Sequence, residues 1–126
     1  MHIIYTRDAS LQISEKTAYA PITDPNYFLQ AMSIDLPSET EVKAHKHNPQ
    51  ERDTTHTHEA TFIFKGKVAL SIYDTDNTFV EKVILKEGDC SIIINGGHSF
   101  KTLEPTSLFE FKNGPYFGPE KDRTYF

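Results

Sequence analysis

The chain has 126 residues and a formal net charge of −5, because 18 Asp and Glu outnumber 13 Lys and Arg. This length favours one domain with a single core. An acidic balance without a basic block argues against nucleic acid or an anionic membrane as the main partner. No apolar run approaches the ~20 residues of a spanning helix, and the start lacks the layout of a signal peptide, so we expect a soluble, cytoplasmic protein.

The composition favours an all-β fold. Val, Ile, Thr, Tyr and Phe together number 43, whereas the strong helix formers Ala, Leu and Met number 16. β-branched and aromatic side chains suit the pleated, half-buried surface of a sheet. The single cysteine, Cys90, excludes an intrachain disulfide and a zinc finger, and we expect it to be a small buried hydrophobe.

The first half of the chain predicts few strands. Residues 1–26 are expected to form an edge strand at Ile3–Tyr5, followed by an irregular segment that wraps outside the domain. Residues 27–34 predict a strand, and a short strand is expected from 40 to 47. The polar stretch 48–57 reads as a loop.

The second half predicts a series of short strands separated by turns. Asn95-Gly96 is a hairpin signal between two of them, and Gly66 lies between two others. The expected strands are 59–65, 67–73, 79–85, 91–94, 98–103 and 107–112. Residues 27–112 would then form one barrel or sandwich, with Ile63, Leu70, Ile84, Ile93 and Phe109 in its core. Residues 113–126 are predicted to form a tail that packs back on the domain, since the tail carries four aromatic residues.

Histidines form the strongest chemical signal. Residues two apart on a strand face the same way, so positions 45 and 47 would lie about 7 Å apart and their two imidazoles could converge on one metal ion. A solvated surface role for this pair is the competing interpretation. His98 follows the Asn95-Gly96-Gly97 turn, which would hold it on a rigid platform.

Two motifs in this chain resemble those of the cupin superfamily. His45-x-His47 and the spacing from Glu59 to Gly66 match the first motif, although Glu39 stands at its leading Gly and eleven residues separate His47 from Glu59. Gly88, Gly96 and His98 resemble the second motif, although Ile94 stands at its Pro and His98 comes one residue early. The run Glu110-Phe111-Lys112-Asn113-Gly114-Pro115-Tyr116 is similar to the ending of small bacterial cupins of the WbuC type.

The resemblance implies a single-domain double-stranded β-helix, or jelly-roll barrel, with one divalent transition metal ion. The ligands would be His45, His47, Glu59 and His98, and the metal would be Fe, Mn, Zn, Ni or Cu. It also implies a homodimer, for which Phe62 and Phe64 would offer an apolar face.

Several alternatives stay open at this site. Glu51 lies at the family's spacing from His47, but we prefer Glu59 because it begins a strand and has the matching Gly66. His56 and His58 become the ligands if the long loop shifts the strand register. If the register does not shift, His58 and Glu59 are neighbours on one strand, so their side chains would face opposite ways. Tyr73 and Tyr116 are further pocket candidates.

The resemblance also implies a metalloprotein that acts on a small polar molecule, such as a sugar or sugar derivative in carbohydrate metabolism. Isomerase-type and dioxygenase-type chemistry both suit three imidazoles and one carboxylate. The alternatives are a non-catalytic module that binds a small ligand and a purely structural metal site. Whether the protein is an enzyme stays open.

Overall fold

The computed structural model describes residues 1–7, 18–115 and 117–126, and this part of the chain is nearly all β. A single helical turn, α1, spans Pro119–Asp122. The strands are β1 (His2–Tyr5), β2 (Ala18–Pro21), β3 (Met32–Asp35), β4 (Glu59–Lys65), β5 (Lys67–Tyr73), β6 (Phe79–Lys86), β7 (Cys90–Ile93), β8 (Gly97–Thr102) and β9 (Ser107–Lys112). The all-β prediction is confirmed.

The strands form three antiparallel sheets. The first sheet has the order β1-β7-β4-β9, the second consists of β2 and β3, and the third has the order β6-β5-β8. In the part of the chain that the structure describes, none of these sheets closes on itself. Among the described residues β1 pairs only with β7, which agrees with the edge position predicted for the first strand.

Two glycine turns carry the chain from one sheet to another. Gly66 joins β4 of the first sheet to β5 of the third, with φ of 97°. A Cβ there would lie 2.4 Å from the Pro105 carbonyl oxygen, so the sharp crossing requires glycine. Gly96, with φ of 95°, makes the corresponding turn from β7 to β8. The hairpin predicted at Asn95-Gly96 is therefore wrong, because β7 and β8 pair with different strands.

The core lies between the first and third sheets. Its largest fully buried side chains are those of Ile63, Leu70, Leu85 and Ile92. Among the predicted core residues, Ile63, Leu70 and Ile93 are buried. Ile84 and Phe109 are about half exposed, because their strands turn these side chains outward. Alternation alone cannot identify the inward face of a strand that is apolar on both sides.

The first half of the chain departs most from the prediction. The strand expected from residue 27 begins only at Met32, after bends at 27–29, and it pairs with β2, which lies inside the segment predicted to be irregular. Residues 36–58 contain no strand or helix, so the short strand expected at 40–47 is absent there. Residues 8–17 of the predicted wrapping segment lie outside the described residues. Within the described ranges, no helix has the length and apolar character needed to span a bilayer.

Candidate functional site

A carboxylate and an imidazole meet where the first and third sheets come together. Glu59 is the first residue of β4, and His98 is the second residue of β8. His98 Nε2 lies 2.9 Å from Glu59 Oε1, and the exposed fractions of the two side chains are 26% and 12%. This pair joins the first sheet to the third, as does the pair of His2 on β1 and Glu81 on β6, 2.7 Å apart.

Strand alternation explains why Glu59 faces inward. Glu59, Thr61 and Ile63 lie on the same side of β4, and the latter two are fully buried. Phe62 and Phe64 point to the opposite, exposed side. The predicted alternation of side chains along β4 is confirmed. It places the carboxylate of Glu59 at the edge of the hydrophobic core.

Positive charges surround the Glu59 carboxylate. Lys112 is its cross-strand neighbour on β9, with Nζ 4.0 Å from Glu59 Oε2, and this Nζ also donates to Glu110 Oε1 at 3.0 Å. Burial by itself raises the pKa of Glu59. The hydrogen bond from His98, its charge and the charges of Lys112 and Arg123 outweigh burial, so the pKa lies below its ordinary value. Glu59 is therefore an ionised acceptor at neutral pH.

A cavity of about 540 Å³ opens above this pair. Its walls come from the start of β4, the first half of β8, the end of β9 and the last residues of the described chain. Glu59, Glu110 and Asp122 supply carboxylates, and Lys112 and Arg123 supply cations. Its aromatic surface comes from Phe100, Tyr125 and Phe126.

The end of the chain lines the cavity, but the aromatic side chains expected to bury it against the domain are exposed: Phe117 by 64%, Tyr125 by 79% and Phe126 by 66%. Phe126 packs its ring against the edge of Tyr73 with centroids 5.2 Å apart. Asp122 Oδ2 accepts from the backbone N–H of Phe117 at 2.9 Å, which ties α1 to the residues before it. Asp122 and Arg123 line the cavity at its rim.

The side-chain amide of Asn113 holds the residues that directly precede β4. Its Oδ1 accepts from the His58 backbone N–H at 2.7 Å, and its Nδ2 donates to the His56 carbonyl oxygen at 3.1 Å. Because these two bonds hold residues 56–58 to the end of β9, they position Glu59 directly after them. Sequence analysis missed this role of Asn113, since a single Asn after a strand carries no distinctive signal.

His58 has a packing role. Its ring lies between Tyr27 and Phe28, with both centroids 6.1 Å away, and the residue is 6% exposed. Its Nδ1 accepts from the backbone N–H of Leu29 at 3.4 Å. Burial, followed by the charge of His56, lowers the pKa of His58, so the ring is neutral at neutral pH.

The structure separates the predicted metal ligands into two pairs. His45 and His47 are exposed, within segment 36–58, with ring centroids 5.3 Å apart, and neither lines the cavity. Glu59 and His98 form the other pair. Glu51 and His56 are exposed in the same long segment, and neither lines the cavity, although Thr57, next to His56, does.

The remaining candidates have different outcomes. Tyr73 supports Phe126 and does not line the cavity. Tyr116 lies outside the described residues. Phe126 was not recognised as a cavity residue from the sequence, because nothing in a terminal Tyr-Phe sequence shows where it docks.

The donor chemistry suits a transition metal, but the geometry is incomplete. Imidazole and carboxylate are ligands for Fe, Mn, Zn, Ni and Cu, and a catalytic centre needs about three of them from the protein. No group of three or more His, Cys, Asp or Glu side chains with that geometry is present within residues 1–7, 18–115 and 117–126. The described side chains therefore do not by themselves form a metal centre.

Comparisons with known proteins identify no relative. No family model, no curated protein and no solved structure matches the chain. The cupin resemblance therefore stays a prediction that depends on the motif residues alone.

Proposed function

We propose that the protein binds a small polar molecule, a sugar or sugar derivative, in the cavity above Glu59 and His98. The observation that carries this proposal is the largely buried Glu59–His98 hydrogen bond at the floor of a cavity of about 540 Å³. A cavity of this volume suits a small ligand that is oriented by a few polar groups.

The lining of the cavity favours a polyhydroxylated ligand. Hydroxyl groups both donate and accept, and the cavity offers acceptors at Glu59 and Glu110 and donors at Lys112 and Arg123. A sugar ring also has apolar C–H faces, which match the rings of Phe100 and Tyr125. A purely apolar ligand would leave these charged groups without hydration.

Glu59 and His98 together can hold and move a proton. The hydrogen bond to the carboxylate orients the ring, so that the imidazole can act as a general acid or base toward a bound hydroxyl or carbonyl group. The same pair would equally serve a non-catalytic module by fixing the ligand through hydrogen bonds. Turnover of a bound sugar separates these two alternatives.

A titration with three sugar probes tests this proposal. Glucose, glucuronate and glucose phosphate present a neutral, a carboxylate and a phosphate form of one ring. We expect at least one to shift the NMR signals of the His98 ring, and Glu59→Gln and His98→Gln to weaken binding about tenfold or more. His56→Gln, in the exposed segment, is the matched control. Binding that survives both cavity variants would overturn the proposal, as would the absence of binding by all three probes.

A metal-dependent cupin is the second candidate. The paired rings of His45 and His47 and the bonded pair of Glu59 and His98 together contain the four donors that the cupin motifs require. We propose that a divalent transition metal ion binds only if segment 36–58 moves to bring the two pairs together. In that form the strands would belong to a jelly-roll barrel.

We also propose that the protein is a cytoplasmic homodimer. An exposed aromatic patch on β4 and β9 consists of Phe62, Phe64, Phe109 and Phe111, and β9 is at the edge of its sheet in the described part of the chain. The rings of Phe64 and Phe109 have centroids 5.9 Å apart, and Phe109 stacks on Phe111 at 6.4 Å. A second copy of this chain that covers the patch would remove four aromatic rings from water.

A further inference from the structure

We infer that residues 117–126, here called the closing segment, form a gate over the Glu59–His98 pair and that Phe126 is the latch of this gate. The segment supplies a continuous part of the cavity wall, from Asp122 to Phe126. His98 lines the same cavity, so the closing segment borders the space that a ligand of His98 would occupy. The inference deepens the proposed function, because a gate matters for a cavity that admits a ligand.

The ring of Phe126 packs against a glycine, Gly97. A Cβ built on Gly97 would lie 2.7 Å from Phe126 Cζ and 3.0 Å from its Cε1, so the ring occupies the space that any other side chain would need. Tyr73, the cross-strand neighbour of Gly97, presents its ring to Phe126 at an interplanar angle of 87°. Gly97 directly precedes His98, so the latch closes beside the catalytic candidate.

The positive charge of Arg123, in the middle of the closing segment, interacts with the negative charge of Glu59. Arg123 lies in the cavity wall, and its positive charge acts on the Glu59 carboxylate. Phe126 packs against Tyr73 of β5, and the charge of Arg123 acts on Glu59 of β4, so the closing segment interacts with two different sheets.

Hydrogen bonds within the closing segment allow it to move as one body. The backbone N–H groups of Lys121 and Asp122 donate to the Gly118 carbonyl oxygen, and that of Arg123 donates to the Pro119 carbonyl oxygen. These bonds lie within the segment and survive when it swings away. Phe126 is 66% exposed even when it is docked, so its release costs little burial.

The experiment measures access to His98 without any ligand. Diethyl pyrocarbonate modifies unprotonated imidazole rings, and mass spectrometry of peptides gives the rate at each histidine. We expect Phe126→Ala to speed modification of His98 about two- to tenfold, the range that corresponds to loss of one aromatic contact. Gly97→Ala, whose new methyl group displaces the ring, should act in the same direction.

Three comparisons make the test specific. Phe117→Ala removes an exposed ring of the same segment that does not line the cavity, and it should leave the His98 rate unchanged. Within each protein, His56 reports the rate of an exposed ring and His58 that of a buried one. Adding Gly97→Ala to Phe126→Ala should have no further effect, because the side chain that it displaces is gone.

A second readout follows the segment itself. Trypsin cleaves after Lys121 and Arg123, and release of the latch should speed this cleavage in Phe126→Ala and Gly97→Ala but not in Phe117→Ala. Unchanged His98 rates in both latch variants would overturn the inference. A parallel rise at His58 would overturn it too, because the segment would then support the whole fold. Neither readout involves a sugar, so the gate and the proposed ligand can fail separately.

Discussion

Glu59 and His98 come from strands of two different sheets, and their hydrogen bond of 2.9 Å closes one end of the space between those sheets. The two residues are 39 positions apart in the chain. The glycine crossings at 66 and 96 bring them together, because each crossing returns the chain to the opposite sheet at the end where the other strand starts. The chain topology therefore brings these two residues together. Their hydrogen bond links the packing of the two sheets to the geometry of the candidate site.

This coupling can be measured by a double-mutant cycle. We expect Glu59→Gln, His98→Gln and the double variant to give a coupling free energy of about 1 kcal/mol, between the values for exposed ion pairs and for buried hydrogen bonds to charged groups. Urea unfolding at pH 7 provides the four free energies of unfolding. A coupling of zero would show that the pair makes no energetic contact in solution.

Metal binding gives the second prediction. The protein is incubated with Fe²⁺, Mn²⁺, Zn²⁺, Ni²⁺ and Cu²⁺ in turn, desalted and analysed for bound metal. If the cupin site forms, we expect one ion per chain, and loss of most of it in His98→Ala and in the double variant His45→Ala/His47→Ala. His2→Ala, which removes a histidine paired with Glu81, is the control.

The metal analysis has two informative alternatives. Loss of metal in His56→Ala and His58→Ala, with His98→Ala unaffected, would mean that the long segment re-registers the strand. No metal in the wild-type protein would leave the ligand-binding proposal standing without the cupin one.

The sequence predicted the second half of the chain well because its signals are local. Strands β4 and β5 were predicted with their observed bounds, since alternation, Gly66 and a polar turn all agree there. Glu59 and His98 were grouped as candidates by the resemblance to the cupin motifs. The parity of β4 supported Glu59, whereas the hairpin expected to position His98 does not form. What the sequence could not reveal is long-range: which sheet receives β8 after Gly96, and where Phe126 docks.

Motif spacing did not predict the conformation of the segment that contains His45 and His47. A His-x-His pair indicates a metal ligand only when a strand holds it, and residues 36–58 form no strand in the structure. The stretch 48–57, which has nine polar residues and Pro49, provides no apolar face to bury, so no packing interaction fixes the position of the histidines before it.

Gly66 gives a prediction about the fold. Gly66→Ala adds a Cβ at 2.4 Å from the Pro105 carbonyl oxygen and 2.7 Å from Thr106 Cα, both backbone atoms, in addition to the cost of a positive φ. We expect a loss of about 3 kcal/mol in the free energy of unfolding. Gly118→Ala is the control, since its φ of 98° is similar but no atom lies within 4 Å. Equal losses in urea unfolding would refute the steric explanation.

His58 predicts a pH dependence of stability. Because the pKa of His58 is lower in the folded protein than in the unfolded chain, the unfolded state takes up its proton first as the pH falls. The contribution of the neutral ring is complete above the unfolded pKa of about 6.5 and is lost as the pH falls toward the folded pKa. Protonation also removes the acceptor that Leu29 uses.

The variant His58→Phe keeps an aromatic ring but cannot titrate. We expect it to be less stable than the wild type at pH 7.5, because the Leu29 N–H loses its partner, and we expect this difference to shrink as the pH falls to 5. Urea unfolding across this range measures the difference directly. A gap that stays constant with pH would show that His58 titrates alike in both states.

The aromatic patch on β4 and β9 gives the last prediction. If a second copy covers it, Phe64→Lys and Phe111→Lys should convert the dimer to a monomer, because each places a charge in an apolar interface. Val80→Lys, at an exposed position of β6 in the third sheet, is the matched control and should leave the dimer intact. Multi-angle light scattering and sedimentation equilibrium measure the mass, and unfolding curves show that each variant is folded. A wild-type mass equal to the chain mass of 14.4 kDa at all concentrations would refute the dimer, since the patch then stays exposed to water.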